Sequence, residues 1–114
     1  MANGDAITQT ADYLHVKLQD TISATDNGVW INTCGYAAGT IHFTLAGTAT
    51  CQVYGSNAAT IPAVSTHADQ IGIDINGSQL VTLAVLPRWI KVRISAWTSG
   101  ATSAIATLRR IAAN

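Results

Sequence analysis

Apolar and polar residues alternate with a period of two along most of the chain, as in β-strands that have one buried and one solvent-exposed face. In "IHFTL", for example, Ile41, Phe43 and Leu45 fall on one side. Turn dipeptides interrupt the alternation at short intervals. The pattern predicts about eight antiparallel strands, at 13–19, 29–33, 39–46, 48–55, 69–75, 79–86, 89–97 and 102–111.

Three short turns predict tight hairpins between neighbouring strands. The Asn-Gly pair at 76–77 favours a type I′ turn, since Asn-Gly readily adopts the positive φ that both central residues need. This hairpin would place Ile73 opposite Leu80, with Ile73 facing the core beside the other isoleucines of its strand. Residues 98–101 and 46–48 predict the other two hairpins.

Two segments lack a sustained period. Residues 56–68, "SNAATIPAVSTHA", contain Pro62 and predict a long surface loop. Residues 1–11 predict an N-terminal arm that is mobile or bound by a partner. The sequence therefore predicts an all-β fold, a single-domain β-sandwich or jelly-roll-like domain over 12–114 that follows this arm.

One predicted strand is apolar on both faces. It contains Leu80, Val81, Leu83, Val85 and Leu86. Such a strand needs a cover on each face. In a domain with little helix, we expect the second cover to come from another sheet or from another subunit.

The strand "WIKVRISAW" at 89–97 carries two of the three tryptophans in a chain that is only 11% charged. Ile90, Val92 and Ile94 fall on one face, which predicts that this face belongs to the core. The opposite face and the end of the following strand supply the candidate partner-binding residues. They are Trp89, Lys91, Arg93, Trp97, Arg109 and Arg110.

The residues leave three roles open for these side chains. They could contact another protein, form an aromatic platform for a sugar, or cap the sheet edge as part of the structure. Interfaces are enriched in Trp and Arg, which favours a protein partner over a sugar. A two-residue turn at 99–100 would place Ile94 opposite Ile105, whereas a longer turn would place Val92 opposite Leu108.

The charges are unevenly distributed although the net charge is zero. Residues 1–87 contain all six Asp and a single basic residue, Lys17, whereas residues 88–114 contain five basic residues and no acid. Neither the net charge of zero nor the small number of basic residues near the C-terminus favours nucleic acid or an acidic membrane as a partner. The N-terminus lacks a signal-peptide pattern and no apolar run has membrane-spanning length, so we expect a protein made and used without Sec export.

The sequence shows no catalytic or metal-binding constellation. His15, His42 and His67 are scattered singly, and no nucleophile elbow or phosphate-binding glycine loop is present. We therefore expect no enzyme activity, no cofactor and no metal. Cys34 and Cys51 are expected to be free, buried thiols, because the chain is expected to be made in a reducing cytosol. The alternative, a disulfide between them, would require their strands to be neighbours.

Two stretches of the chain resemble small β-sandwich structural proteins of tailed bacteriophages. The first is "CQVYGSN" at 51–57, in which a strand ends at a Gly-Ser-Asn turn. The second is "PRWIKVRISAWTSGATSAIATLRR" at 87–110, in which a basic strand turns at Ser-Gly into a Thr- and Ala-rich last strand. The resemblance covers roughly the last two-thirds of the chain. It departs at Ala58, where these proteins commonly have Asp.

The resemblance implies a head-decoration, or cement, protein on the capsid surface of a virion, assembled in the host cytoplasm. Its partners would be the major capsid protein and further copies of itself, as a homotrimer, with no nucleic acid or membrane. Such a protein stabilises the capsid by bridging capsid subunits, and the arm at 2–11 and the loop at 56–68 would add contacts. The alternative is a phage tail, neck or receptor-binding β-sandwich with a carbohydrate-binding aromatic face.

Overall fold

The computed structural model describes residues 3–10 and 12–110, and these residues form nine strands and no helix. Most of the strands are flanked by Gly, Ser, Thr or Asn turns, as the sequence indicates. The strands are β1 Ala6–Gln9, β2 Tyr13–Ile22, β3 Ile31–Asn32, β4 Ala38–Leu45, β5 Ala49–Ser56, β6 Gln70–Ile75, β7 Gln79–Leu83, β8 Trp89–Trp97 and β9 Thr102–Arg109.

The strands form two antiparallel sheets. The five-stranded sheet has the order β1-β2-β9-β4-β7, and the four-stranded sheet has the order β3-β8-β5-β6. Among β2 to β9, the first strand pairs with the last, the second with the second-last, and so on inward: β2 with β9, β3 with β8, β4 with β7 and β5 with β6. This nesting of strand pairs is the topology of a jelly roll. The predicted all-β sandwich is confirmed.

The three predicted hairpins are wrong, because each of these turns carries the chain from one sheet to the other. The connections β4 to β5, β6 to β7 and β8 to β9 all join strands of different sheets. Neither Asn76 nor Gly77 has a positive φ. Ile94 pairs with Cys51, not with Ile105. A turn dipeptide shows where a strand ends but not whether the next strand pairs with it.

The core lies between the sheets and is filled by the inward positions of the alternating pattern. On β8, the predicted inner face is confirmed, since Ile90, Val92 and Ile94 are buried. Phe43 of β4 and Leu108 of β9 face them from the other sheet and are also buried. Small residues at 104 and 106 on β9 leave room for these larger side chains.

A bulge in β6 breaks the predicted alternation. Ile71 pairs with Val53 and Ile75 pairs with Cys51, so β6 has two more residues than β5 over this interval. Gly72 lies in the bulge with φ +75°. As a result Ile73 is turned away from the core and is 80% exposed. The expectation that Ile73 faces the core is wrong, because the bulge interrupts the alternation between Ile71 and Ile75, which both pack with the core.

Part of the segment assigned to an N-terminal arm joins the body of the domain. Residues 6–9 form β1 at the edge of the five-stranded sheet. Asn3 adds a side-chain hydrogen bond to Gln19 Oε1 at 2.8 Å. Residues 1, 2, 11 and 111–114, which belong to the predicted arm or to the end of the predicted domain, lie outside the described residues.

The two cysteines are free, as expected. Cys51 is buried in the core, whereas Cys34 is exposed, so the expectation of a second buried thiol is wrong. Cys34 follows β3 in a turn, where its backbone N–H donates to Asn32 Oδ1 at 2.9 Å. Burial raises the pKa of the Cys51 thiol to about 11.

Candidate functional site

The outer face of β8 is covered by the chain itself. The loop that joins β5 to β6, residues 57–69 and here called the cover loop, folds back over the four-stranded sheet. Beneath it, Trp89 is buried and Lys91 is fully buried. The alternation of the sequence predicted the direction of these side chains but not the cover above them.

Three side-chain N–H donors, two from β8 and one from Trp30 just before β3, hold the backbone of the cover loop. Each donates to a backbone carbonyl of the loop, and a hydrogen bond from such a side chain to the loop backbone fixes the position of the loop. The pairs are Trp89 Nε1 to Ala58 O (3.0 Å), Trp30 Nε1 to Ala63 O (2.9 Å) and Lys91 Nζ to Val64 O. The loop is therefore anchored along its length.

Lys91 lies between aromatic rings. Its Nζ is 5.0 Å from the ring centroid of Trp30 and 5.9 Å from that of Tyr54. Burial lowers the pKa of Lys91 to about 8, and the nearby charge of Arg93 acts in the same direction, whereas Asp26 opposes it. Under the cover loop, the neutral amine of Lys91 is therefore more favoured than it would be in water.

His67 of the cover loop packs against Tyr54, with ring centroids 5.1 Å apart. Its Nε2 is buried and has no hydrogen-bond partner among the described residues. Burial lowers the pKa of His67, and the charges of Lys91 and Arg93 lower it further. The loop thus places a neutral imidazole beside a cationic strand, where a second positive charge would be repelled.

The cover loop presents an apolar surface to solvent while its backbone is held from below. Ile61 is 59% exposed and Val64 is 49% exposed, and we call these two residues the crest. From Asn57 to Ala68, His67 is the one ionisable side chain. The result is an anchored loop with two exposed aliphatic side chains, and its one carboxylate, Asp69, lies at its end next to β6.

The two stretches that carry the phage resemblance meet at this site. Tyr54 pairs with Lys91 and Ser56 pairs with Trp89, so the end of β5 lies directly beside the start of β8. Asn57 Oδ1 then accepts a hydrogen bond from the backbone N–H of Arg88 at 3.0 Å. The resembling motifs are therefore the ones that build and anchor the base of the cover loop.

The six predicted contact residues do not form one surface. Trp89 and Lys91 lie under the cover loop, and half-buried Arg93 lines a neighbouring cleft of about 250 Å³ with Asp26. Trp97 is exposed at the other end of β8, about 26 Å from Trp89 at the usual rise per residue. The two tryptophans therefore cannot share one sugar platform.

The last two predicted residues belong to the other sheet. Arg109 ends β9, where it pairs with Tyr13 and Ala38, and Arg110 follows it. Both arginines are exposed. The guanidinium of Arg110 lies 5.1 Å from the ring centroid of Tyr36, a contact that orients this cation at the surface.

Trp30, Tyr54 and His67 belong to the site and were not among the predicted residues. Tyr54 could have been found, because it alternates with Val53 and so lies on the outer face of its strand. Trp30 precedes a strand of only two residues, too short for a reliable pattern. His67 lies in the loop, where no periodicity predicts a direction.

The described residues contain no group of three or more His, Cys, Asp or Glu side chains placed to hold a metal ion. Over these same residues, no helix is long and apolar enough to cross a membrane. Comparisons with protein-family models, curated proteins and solved structures found no match for the chain.

Proposed function

We propose that this protein is a structural component of a tailed-phage virion, a decoration protein that binds the major capsid protein and stabilises the capsid by bridging its subunits. The observation that carries the proposal is the anchored cover loop with its exposed apolar crest, Ile61 and Val64. This is the arrangement expected of a surface that binds another protein and not of a mobile connecting loop.

Anchoring the loop favours binding for a thermodynamic reason. A loop already held in one conformation loses little conformational entropy when a partner binds, so more of the interaction energy appears as affinity. Aliphatic side chains at the centre of an uncharged patch can be buried without stranding a charge. The crest therefore acts as the contact, and the tryptophans and Lys91 act as its support.

Two further features support a virion role. Jelly rolls recur in viral capsid proteins, although they also occur in lectins and cupins, so the topology alone does not decide the function. The motifs that resemble phage structural proteins are those that hold the cover loop. A protein that binds the assembled lattice and not its separated subunits would shift the equilibrium toward the intact capsid by mass action.

The test is binding to particles of the phage that encodes the protein, prepared without it. The double substitution Ile61→Lys and Val64→Lys should weaken co-sedimentation with these particles at least tenfold, since it places two charges in the contact (about 1.4 kcal/mol or more). Ile73→Lys is the control for adding a surface charge, because Ile73 is an exposed isoleucine, at 80%, on the edge strand β6 of the same sheet and outside the cover loop.

Equal binding by the double variant and the control would contradict the assignment of the crest. Absence of the wild-type protein from purified virions would contradict the proposed function itself. Glycan binding without particle binding would instead support the carbohydrate-binding alternative. Heat resistance of particles with and without the protein measures whether binding stabilises the capsid.

A further inference from the structure

The sandwich has four edge strands in the part of the chain that the structure describes, and three of them are poorly suited to pairing with another strand. β1 and β6 both contain register shifts, and β3 has only two residues. Bulges and short edge strands are devices that prevent edge-to-edge association. The fourth edge, β7, has none of them.

β7 pairs with β4 without any shift, from Gly39 with Leu83 to Phe43 with Gln79. Its outer edge is the end of the five-stranded sheet, so its backbone groups on that side face away from the sheet. The stretch from Ile75 to Pro87 contains no charged residue, and the one proline ends it. A regular, uncharged edge of this kind is a template for another strand.

Two aliphatic side chains at or just after β7 are exposed to solvent, although Val81 and Leu83 fill the inner face. Leu80 is 67% exposed, and Val85, just beyond the strand, is 81% exposed. Val81 and Leu83 point inward and pack with the core. The residues that the structure describes therefore do not supply the second cover that the two-sided apolar pattern predicts.

We propose that β7 pairs antiparallel with β7 of a second copy, joining two five-stranded sheets into one across a twofold axis. A second copy fits because it supplies a strand of the same length, about 17 Å for five residues. Because the paired segments contain no charged residue, no like charges are placed opposite each other. An isologous contact of this kind closes at two copies, whereas the resemblance implies three.

Sedimentation equilibrium provides the first test. The wild-type chain should have the mass of a dimer, and Leu80→Lys should weaken self-association at least tenfold, because it places a charge beside its symmetry mate. Ile73→Lys is the matched control on the bulged edge and should remain dimeric. A wild-type monomer or trimer would overturn the proposal, and so would dissociation caused by Ile73→Lys but not by Leu80→Lys.

Cysteine cross-linking provides a test that does not depend on a charged variant folding well. In a Cys34→Ser background, single cysteines at 80, 81 and 82 are introduced and oxidised. A covalent dimer should form at one or more of these positions, where the twofold axis brings two copies of the residue together. A cysteine at 73 should not cross-link. Cross-linking at 73 alone, or at none of the four positions, would contradict the pairing.

The β7 contact does not depend on the proposed virion role. A dimeric protein that does not bind capsids would leave the β7 contact intact while removing the virion role. Conversely, a monomeric wild-type chain that binds capsids through its crest would overturn the β7 contact alone.

Discussion

At the scale of single residues, the cover loop depends on side chains whose chemistry is unusual for their position. Lys91 is fully buried, and its ammonium contacts a backbone carbonyl and two aromatic rings instead of a carboxylate. Such an environment packs well against the aliphatic part of the side chain, but it stabilises the ammonium charge less than water does. Lys91 therefore links the stability of the domain to pH.

The direction of this link follows from the pKa of about 8, which lies below the ordinary value of 10.5. Between these two values the unfolded chain binds more protons than the folded one, so the free energy of unfolding rises with pH. Below pH 8 the penalty for burying the charge is fully present. The pKa of His67 is also lowered by burial, so the folded state resists protonation of this imidazole. Near and below pH 6.5 this effect likewise makes the free energy of unfolding rise with pH.

We expect the free energy of unfolding of the wild type to rise between pH 7.5 and 9 relative to Lys91→Met, by at most about 1.4 kcal/mol per pH unit. Urea unfolding followed by tryptophan fluorescence measures it. Comparing the two proteins at each pH removes the contribution of Cys51, which they share. Lys17→Met is the control, because Lys17 forms a partly exposed ion pair with Asp20 at 2.6 Å. Parallel profiles for the wild type and Lys91→Met would refute the link.

A glycine before β3 shows how closely the chain crosses β8. Gly28 has φ +77°, and a Cβ added to it would lie 2.1 Å from the carbonyl oxygen of Val92. That same oxygen accepts a buried hydrogen bond from Gln19 Nε2 at 2.8 Å. A side chain at 28 would therefore strain the backbone and disturb this bond.

Gly28→Ala should lower the free energy of unfolding by more than about 2 kcal/mol, because it combines a positive φ with a clash against backbone. Gly77→Ala is the control and should change stability by less than about 0.5 kcal/mol, since a Cβ there meets nothing within 4 Å. Chemical denaturation of both variants checks the difference. Equal stability of the two variants would show that the approach of the chain at 28 is not tight.

At the scale of elements, the cover loop behaves as an extra layer on the four-stranded sheet. It has no strand or helix of its own, and its position depends on side chains of β8 and on Trp30 before β3. A loop held in this way opens when its anchors are removed, even if the sheets beneath it stay intact.

Removing one anchor should open the loop without unfolding the domain. Trp30→Phe keeps an aromatic ring but loses the N–H donor to Ala63 O, so amide hydrogen exchange across residues 60–66 should be several-fold faster. Trp97→Phe is the matched control, because the N–H of Trp97 donates to Gly100 O at 2.7 Å, away from the cover loop. Unchanged exchange in Trp30→Phe would mean that this hydrogen bond does not hold the loop.

At the scale of the whole molecule, the jelly roll separates residues that are neighbours in the sequence. β8 and β9 are consecutive, yet they belong to different sheets, so the basic residues after 87 are divided between two outer surfaces. Arg93 lies on the four-stranded sheet beside Asp26, and Arg110 lies beyond the five-stranded sheet beside Tyr36. The charge asymmetry of the sequence therefore does not become one basic face.

The same arrangement leaves β6 and β7 as edges on neighbouring sheets, joined by the short turn at 76–78. One edge is bulged and the other is regular, which makes them different surfaces although both expose an aliphatic side chain. This difference is why a single substitution on each edge, Leu80→Lys or Ile73→Lys, tests self-association with its own control.

The alternation along the chain was enough to predict the all-β class, most of the strands and the inner face of β8, because a period of two reports which side of a strand is buried. It also identified β7 as a strand with two apolar faces. The strand partners are known only from the three-dimensional fold, because a turn such as Asn76-Gly77 can either reverse a strand within a sheet or carry it across the sandwich. The fold shows this pairing directly. It also decided that Trp89 and Lys91 are covered, since the cover loop is placed by hydrogen bonds between residues about 30 positions apart, which no local pattern contains.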